Sequence, residues 1–204
     1  MKTIGLIGGM SWESSLEYYR IMNEAVKERL GGLHSARILM NSVDFAPLRE
    51  LMLTDDWDEV GVRLAEAART LERGGAELVV IGTNTMHKAA PEVEAALGVP
   101  LLHIADATAE AARAGGFSRL ALLGTALTME DGFYVDRLKG HGFEVLVPEA
   151  EDRAIVDRVI FDEMCRGEFL DSSRVEFVRI IDGLAARGAE AVVLGCTEIG
   201  LLVR

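Results

Sequence analysis

The sequence predicts an α/β protein of two pseudo-symmetric lobes, each a mostly parallel sheet flanked by helices. Three observations lead there. Short, almost continuous apolar runs alternate with long amphipathic stretches rich in Ala, Glu, Arg and Leu, the signature of βαβ units whose sheets are covered on both faces. Glycines (Gly31-Gly32, Gly74-Gly75, Gly98, Gly115-Gly116) close the amphipathic stretches, where a left-handed residue is wanted after a helix. Finally, the chain writes one strand-to-loop junction twice: Arg73–Thr83 is RGGAELVVIGT and Arg187–Cys196 is RGAEAVVLGC. Setting Gly75-Ala76-Glu77 on Gly188-Ala189-Glu190 gives an offset of 113 residues, and the same offset carries Thr83 onto Cys196. The opening IGLIGGM from Ile4 has a weaker twin, LALLGTA from Leu120, at a similar offset. One such pair is what convergent helix–Gly–strand modules would give; two in the same order favour duplication.

Taken in order, the expected strands are Thr3–Ile7, Ala36–Asn41, Leu78–Ile81, Leu101–Ile104, Leu120–Leu123, Glu144–Val147 and Ala191–Leu194. The expected helices are Ser14–Leu30, Trp57–Arg73, Ala89–Leu97, Ala105–Ala114, Met129–Gly140, Ile155–Arg166 and Ser172–Arg187. Gly98-Val99-Pro100 marks the expected boundary, with residues 1–98 as the first lobe and 99–204 as the second. The last strand or tail is able to return to the first lobe. In open α/β sheets ligands sit outside the carboxyl ends of strands, so facing lobes would bring Thr83 and Cys196 to opposite walls of one cleft.

Composition narrows the function. With 204 residues and half of them hydrophobic, the chain has material for a substantial core. A formal net charge of −12 and no Lys/Arg cluster argue against a nucleic-acid partner. An anionic substrate would have to be captured by local donors against that field. The two cysteines, Cys165 and Cys196, form no CxxC and no Cys/His cluster, so neither a metal site nor a disulfide scaffold is expected. MKTIGLIGGMSWE reads as a first strand rather than a signal peptide. No apolar run approaches the roughly 20 residues of a membrane span, and a cytoplasmic protein with no membrane partner is expected.

Three junctions place small polar residues after a strand and before a helix: Gly8-Gly9-Met10-Ser11, Thr83-Asn84-Thr85 and Cys196-Thr197-Glu198. Free backbone N–H groups at such places bind carboxylates and phosphates. Gly8 and Gly9 let backbone approach closely. Ser11, Asn84, Thr85 and Thr197 each have an ordinary alternative as caps, and for Ser11 capping is the favoured role. Cys196 can serve as a base only as a thiolate, with its pKa lowered by a helix N-terminus and nearby N–H groups. Cys165, in the helical run IFDEMC, reads as a small buried hydrophobe. Thr83 gives up a proton far less readily than a thiol, so its natural part is to donate a proton or hydrogen bond to a carbanion.

On these residues the chain resembles the aspartate/glutamate racemase family, the cofactor-independent amino-acid racemases. The opening IGLIGGMSW, the NSVDF after the second strand, TNTMH at Thr83–His87 and GCTE at Gly195–Glu198 carry the resemblance. It implies two opposed acid/base residues on either face of the substrate α-carbon, no pyridoxal cofactor and a homodimer. An α-proton beside a carboxylate is weakly acidic, so preoriented donors must stabilise the enolate-like charge. By position Cys196 corresponds to the second catalytic cysteine, and Thr83 stands where the first usually stands. Asn84, Thr85 and Thr197 match the carboxylate-binding loops. Met10 and Ser11, with Gly9 in support, match the glycine-rich loop. Glu198 orients a neighbour or caps, and His87 orders its loop. Relatives continue past Leu201-Leu202-Val203-Arg204 with another strand or loop and a closing helix.

Thr83 in place of cysteine implies a lopsided enzyme in which Cys196 works efficiently on one enantiomer, expected to be L, while the reverse reaction is poor. Arg49, in VDFAPLRE, stands for the arginine that holds the side-chain carboxylate in aspartate-specific relatives. The lysine of that pair falls on Cys165, with Arg166 next to it, which leaves aspartate, glutamate, asparagine and other amino acids open. Two competing readings remain: an arylmalonate-type decarboxylase of the same superfamily, which needs only the second thiol, and a catalytically silent small-ligand sensor. A Rossmann dinucleotide site is disfavoured, since IGLIGGMSWES lacks G-x-G-x-x-G.

Overall fold

The computed structural model describes residues 1–203. The chain divides into two compact units, Met1–His103 and Ile104–Arg204. The first runs β1 (Ile4–Gly8), α1 (Trp12–Leu30), β2 (Ile38–Ser42), α2 (Phe45–Leu53), α3 (Trp57–Arg73), β3 (Leu78–Ile81), a 3-10 turn (Thr85–Ala89), α4 (Ala90–Ala96) and β4 (Leu101–Leu102). Its sheet has the order β2-β1-β3-β4, every pair parallel. The amphipathic pattern of α3 explains its docking. Val60, Leu64, Ala68 and Leu71 recur at helical spacing, are almost wholly buried, and pack with Ile7, Val79 and Ile81 of the sheet. Truncating Leu64 to Ala is expected to cost about 2–5 kcal/mol.

The second unit runs α5 (Ile104–Ala114), β5 (Arg119–Leu123), α6 (Ala126–Glu130), α7 (Gly132–Gly140), β6 (Glu144–Leu146), α8 (Ala150–Asp162), a 3-10 turn (Met164–Arg166), α9 (Asp171–Ala186), β7 (Ala191–Leu194) and α10 (Ile199–Leu202). Its parallel sheet has the order β6-β5-β7. The alternation of side chains along β5 splits the core in two. Ala121 and Leu123 join Val156, Phe177, Ile180 and Leu184 on one face, while Leu120 and Leu122 join Ala105, Ala109, Tyr134 and Leu138 on the other. The expected α/β architecture of two parallel sheets flanked by helices is the one observed.

The repeat has a physical basis in the backbone. In each unit the helix before the strand that leads to the repeated junction, β3 or β7, ends in the same glycine motif: Ala76 N–H donates to Leu71 O (3.0 Å), and Ala189 N–H to Leu184 O (3.1 Å). Gly75 (φ 96°) and Gly188 (φ 99°) supply the left-handed residue. The glutamate that follows then clamps the neighbouring strand. Glu77 N–H donates to Thr3 O and Glu77 Oε2 accepts from Thr3 N–H, both at 2.8 Å. Glu190 N–H donates to Arg119 O (2.9 Å), and Glu190 Oε2 accepts from Arg119 N–H (3.0 Å). Ile4 pairs with Leu78 as Leu120 pairs with Ala191, the equivalence that the two repeated strings describe.

Several expectations shift. β4 pairs with β3, so this strand belongs to the first sheet and the division follows His103 rather than residue 98. Asp131 adopts extended backbone and caps Phe133 N–H (3.2 Å), breaking the expected Met129–Gly140 helix into α6 and α7. The helix expected over Ala89–Leu97 opens as a 3-10 turn. α8 starts at Ala150 and ends at Asp162, so Cys165 lies on the following 3-10 turn, which Gly167 closes at φ 78°. Cys165 is exposed, not the buried hydrophobe expected. α2 and α10 were not expected: Pro47 and the shortness of IGLL hide them, yet Asp44 caps α2 by accepting from Ala46 N–H (3.2 Å), and proline is tolerated in a first turn.

Candidate functional site

Each unit carries one cluster of the expected residues, at the carboxyl ends of its strands. In the first unit the β1 junction turns out to be built for the chain's own packing. Gly9 has φ 87°, and a Cβ there would collide with the Val43 carbonyl. Its N–H donates to Ser15 Oγ (2.9 Å), and Val43 N–H donates to Gly8 O (2.9 Å). The close approach that these glycines permit is therefore to β2 and α1. Met10, expected to touch substrate, is 5% exposed and packs in the core. Ser11 is the N-cap of α1, accepting from Ser14 N–H (3.2 Å) and donating to Glu13 Oε2 (3.0 Å).

One strand over, Gly82 N–H donates to Ile7 O (2.8 Å), which holds the end of β3 against β1. Half-buried Thr83 follows. Its carbonyl accepts from His87 Nδ1 (2.7 Å), which fixes that nitrogen as the protonated one, since a carbonyl only accepts. His87 is 1% exposed, and its ring lies 4.4 Å from that of buried His103. His87 thus ties the turn to the end of β3; the ring beside it, His103, carried no signal in the sequence. Asn84 has helical backbone, makes no capping bond, and leaves a buried Oδ1 without a hydrogen-bond partner. Its ordinary alternative as a cap therefore fails. Thr85 is 8% exposed at the start of the turn. Arg49 is half-buried on α2, beyond the end of β2.

In the second unit Gly195 N–H donates to Leu123 O (2.6 Å), repeating the Gly82–Ile7 bond. Cys196 follows in the place of Thr83. Its thiol donates to Glu198 Oε2 at 2.9 Å, and the exposed Thr197 hydroxyl donates to the same oxygen at 2.9 Å. Glu198 itself is 7% exposed. Burial pushes the Cys196 thiol well above the ordinary cysteine range, and the Glu198 charge, the hydrogen bond to it and Cys165 push the same way. The expected lowering is overturned for a physical reason. α10 has four residues, too few to present an effective helix N-terminus, and a carboxylate occupies the position where only N–H donors were foreseen. No group of three His, Cys, Asp or Glu side chains among the described residues could hold a metal ion. No helix among them is long and apolar enough to cross a membrane.

Known proteins are similar to this chain over nearly its whole length. Residues 7–204 match the family model described as Asp/Glu/hydantoin racemase. A provisionally assigned Asp/Glu racemase from Yersinia pestis is 50% identical, with a TM-score of 0.94 over 100% of this chain and 89% of that one. An aspartate racemase homologue from Pyrococcus horikoshii is 35% identical, with a TM-score of 0.85 over the same shares. Glutamate racemase of Thermus thermophilus is 30% identical over 141 residues, 67% of this chain and 49% of that protein. The chain spans about half the length of the curated relatives it matches.

Proposed function

The chain belongs to the Asp/Glu/hydantoin racemase family, and from that premise we propose that it racemises an acidic amino acid, aspartate or glutamate, without a pyridoxal cofactor. Cys196 takes the α-proton of one enantiomer, and the Thr83 hydroxyl serves the opposite face of the resulting carbanion as donor. Asn84, Thr85 and Thr197 belong to the loops that bind the amino-acid head. The unpartnered Asn84 Oδ1 offers an acceptor to the α-ammonium group, and Arg49 is the group assigned to the side-chain carboxylate. The observation that carries this reading is the equivalence of two junctions. Thr83 and Cys196 each follow a glycine whose N–H is tied to the last residues of the central strand, Ile7 and Leu123. A duplicated frame therefore presents one oxygen and one sulfur at matching positions.

Because an alkanol is a far weaker acid than a thiol, the two directions of proton transfer are unequal. Catalysis cannot change the equilibrium, so kcat/KM for inversion is the same in both directions, and the inequality shows in exchange of the Cα hydrogen with solvent, fast for one enantiomer and slow for the other, D in our reading. Incubation with L- and D-aspartate and L- and D-glutamate in deuterium oxide, following loss of the Cα–H signal, tests this: exchange into an L-acid supports it, and no exchange into any of the four removes it. A cytoplasmic homodimer is part of the same proposal, and light scattering on the purified protein checks the stoichiometry.

One observation favours a second reading. A sulfur held as a thiol suits a decarboxylase that protonates an enolate after losing carbon dioxide. Such an enzyme would leave the Cα–H of an amino acid untouched and would release carbon dioxide from an arylmalonate.

A further inference from the structure

We infer that the first turn of α9 is a brace for the two thiol-bearing turns of the second unit: Ser173 holds the turn of Cys165, Arg174 holds α10 behind Cys196, and together they fix where one turn stands relative to the other. The brace itself stands on hydrogen bonds and packing; only its catalytic consequence rests on the racemase reading. Ser173, 5% exposed, donates its hydroxyl to Glu163 Oε2. Glu163 anchors the 3-10 turn. Its carbonyl accepts from Arg166 N–H (2.9 Å) and Glu168 N–H (3.0 Å), and its Oε1 accepts from Arg158 Nη1 (3.2 Å). One residue further along α9, Arg174 Nε donates to Leu202 O at 2.7 Å, while its Nη1 donates to Asp171 Oδ1 at 2.7 Å. Leu202 is the last residue of α10, the helix that follows Cys196.

Both residues are placed against the ordinary habits of a helix start. In LDSSR an N-cap would be expected at Asp171, Ser172 or Ser173, yet Leu170 takes that position and no side chain caps α9. Ser173 is thereby left to serve another loop. An arginine in a first turn faces the positive end of its own helix; Arg174 turns instead to the end of α10, whose last carbonyls lack partners within the helix. Both of the braced turns need such a tie. α10 has four residues and the Cys165 turn three, lengths at which a helical turn does not hold itself in water. Their apolar side chains converge beneath the brace. Met164, Ile199 and Leu202 are buried in one cluster with Phe177 and Ile180 of α9, and Cys196 packs against it. The two turns are near enough for Cys165 to oppose ionisation of Cys196. A displacement of about 1 Å in either would misalign the sulfur against a substrate Cα–H, an error worth up to about 10²-fold in rate. Ser173 and Arg174 act through the turns as positioning residues and touch no reacting atom.

The test is a double-mutant cycle of Ser173→Ala, Arg174→Met and the two together, read in two ways on the full chain. The first readout is bridging of Cys165 and Cys196 by bis-methanethiosulfonate reagents of graded length, resolved by peptide mass spectrometry. The wild type accepts a narrow range of lengths, and each substitution widens it. Arg174→Lys, which can still donate to Leu202 O, restores the narrow range, and the two Arg174 variants suffice should Ser173→Ala not fold. The second readout is Cα–H exchange, which falls about tenfold in each single variant. In the double variant it falls by less than the product, about hundredfold, because cutting one tie already frees the gap that the other helps to fix. A merely structural role would lower the melting temperature, leave the bridging lengths in place and give losses that multiply. No bridging at any length in the wild type, an unchanged range in the variants, or multiplying losses overturns the inference. Widened bridging in a protein whose wild type exchanges no amino acid would leave the brace standing and remove the racemase reading instead.

Discussion

At the end of β3 the chain presents an alcohol whose carbonyl is gripped by a buried histidine; at the end of β7 it presents a thiol whose hydrogen is gripped by a buried carboxylate. The backbones around the two are close copies, down to the glycine that ties each junction to the central strand. The side chains that serve them share nothing. What recurs is a way of holding one residue beyond a sheet, with different chemistry inside each copy of that frame. A frame made of Schellman glycines and strand-clamping glutamates tolerates this, because none of its hydrogen bonds involves the residue at position 83 or 196.

The comparison is broken most severely at the sulfur. Cys196→Ala is expected to lower Cα–H exchange by about 10²–10⁴-fold, the usual worth of one acid–base group, with the melting temperature nearly unchanged. Thr83→Ala is the sharper probe of inequality. It should leave solvent exchange into the accepted enantiomer measurable while inversion falls by about 10²-fold, the worth of one preorganised donor; comparing deuterium uptake with optical rotation separates the two. Equal losses from both substitutions would mean that the junctions work alike.

Stability differences within the first unit come next. Gly9→Ala combines a positive φ with a collision against the Val43 carbonyl and should cost about 2–3 kcal/mol. Gly75→Ala, where the added methyl meets nothing within 4 Å, should cost about 1–2 kcal/mol. Urea denaturation reads both. Smaller again is a pH effect at Cys196. With its pKa raised in the folded state, the folded protein keeps the proton after the unfolded chain loses it near the ordinary thiol value of about 8.5. Stability is therefore intact below that pH and falls as pH rises from there toward the folded value, by at most about 1.4 kcal/mol per unit. The difference between the wild type and Cys196→Ala isolates that slope. The smallest effect is expected at Glu190. Backbone N–H groups of Ser118 and Arg119 lower its carboxyl pKa, so its contribution is present above the ordinary carboxylate range and lost as pH falls through the lowered value. Melting curves of Glu190→Gln should differ slightly from wild type at pH 7 and converge as the pH falls through the lowered value.

What the sequence made legible follows the range of the forces involved. α3, β3 and β7 were predictable to the residue, because amphipathic spacing and a glycine at the helix end are local signals. The split at Asp131-Gly132 was written locally as well, in a turn dipeptide within a helical pattern, but the apolar period ran across it. β4 could not be assigned to the first sheet from sequence, since only its pairing with β3, about 20 residues away, decides that. In the site, the repeat picked out Thr83 and Cys196, while the family resemblance matched Met10 to a substrate loop and its side chain instead fills the core. The direction of the Cys196 shift was misjudged because burial and the rotamer of Glu198 are tertiary facts. A glutamate two residues after a cysteine on a turn was the available signal.

The most direct measurement is Cα–H exchange of L- and D-aspartate in deuterium oxide, run side by side on the wild type and Thr83→Cys. We predict exchange confined to the L-form in the wild type and gained for the D-form when position 83 carries a thiol. Comparable exchange of both enantiomers by the wild-type protein would contradict the unequal pairing of sulfur and oxygen on which the account stands.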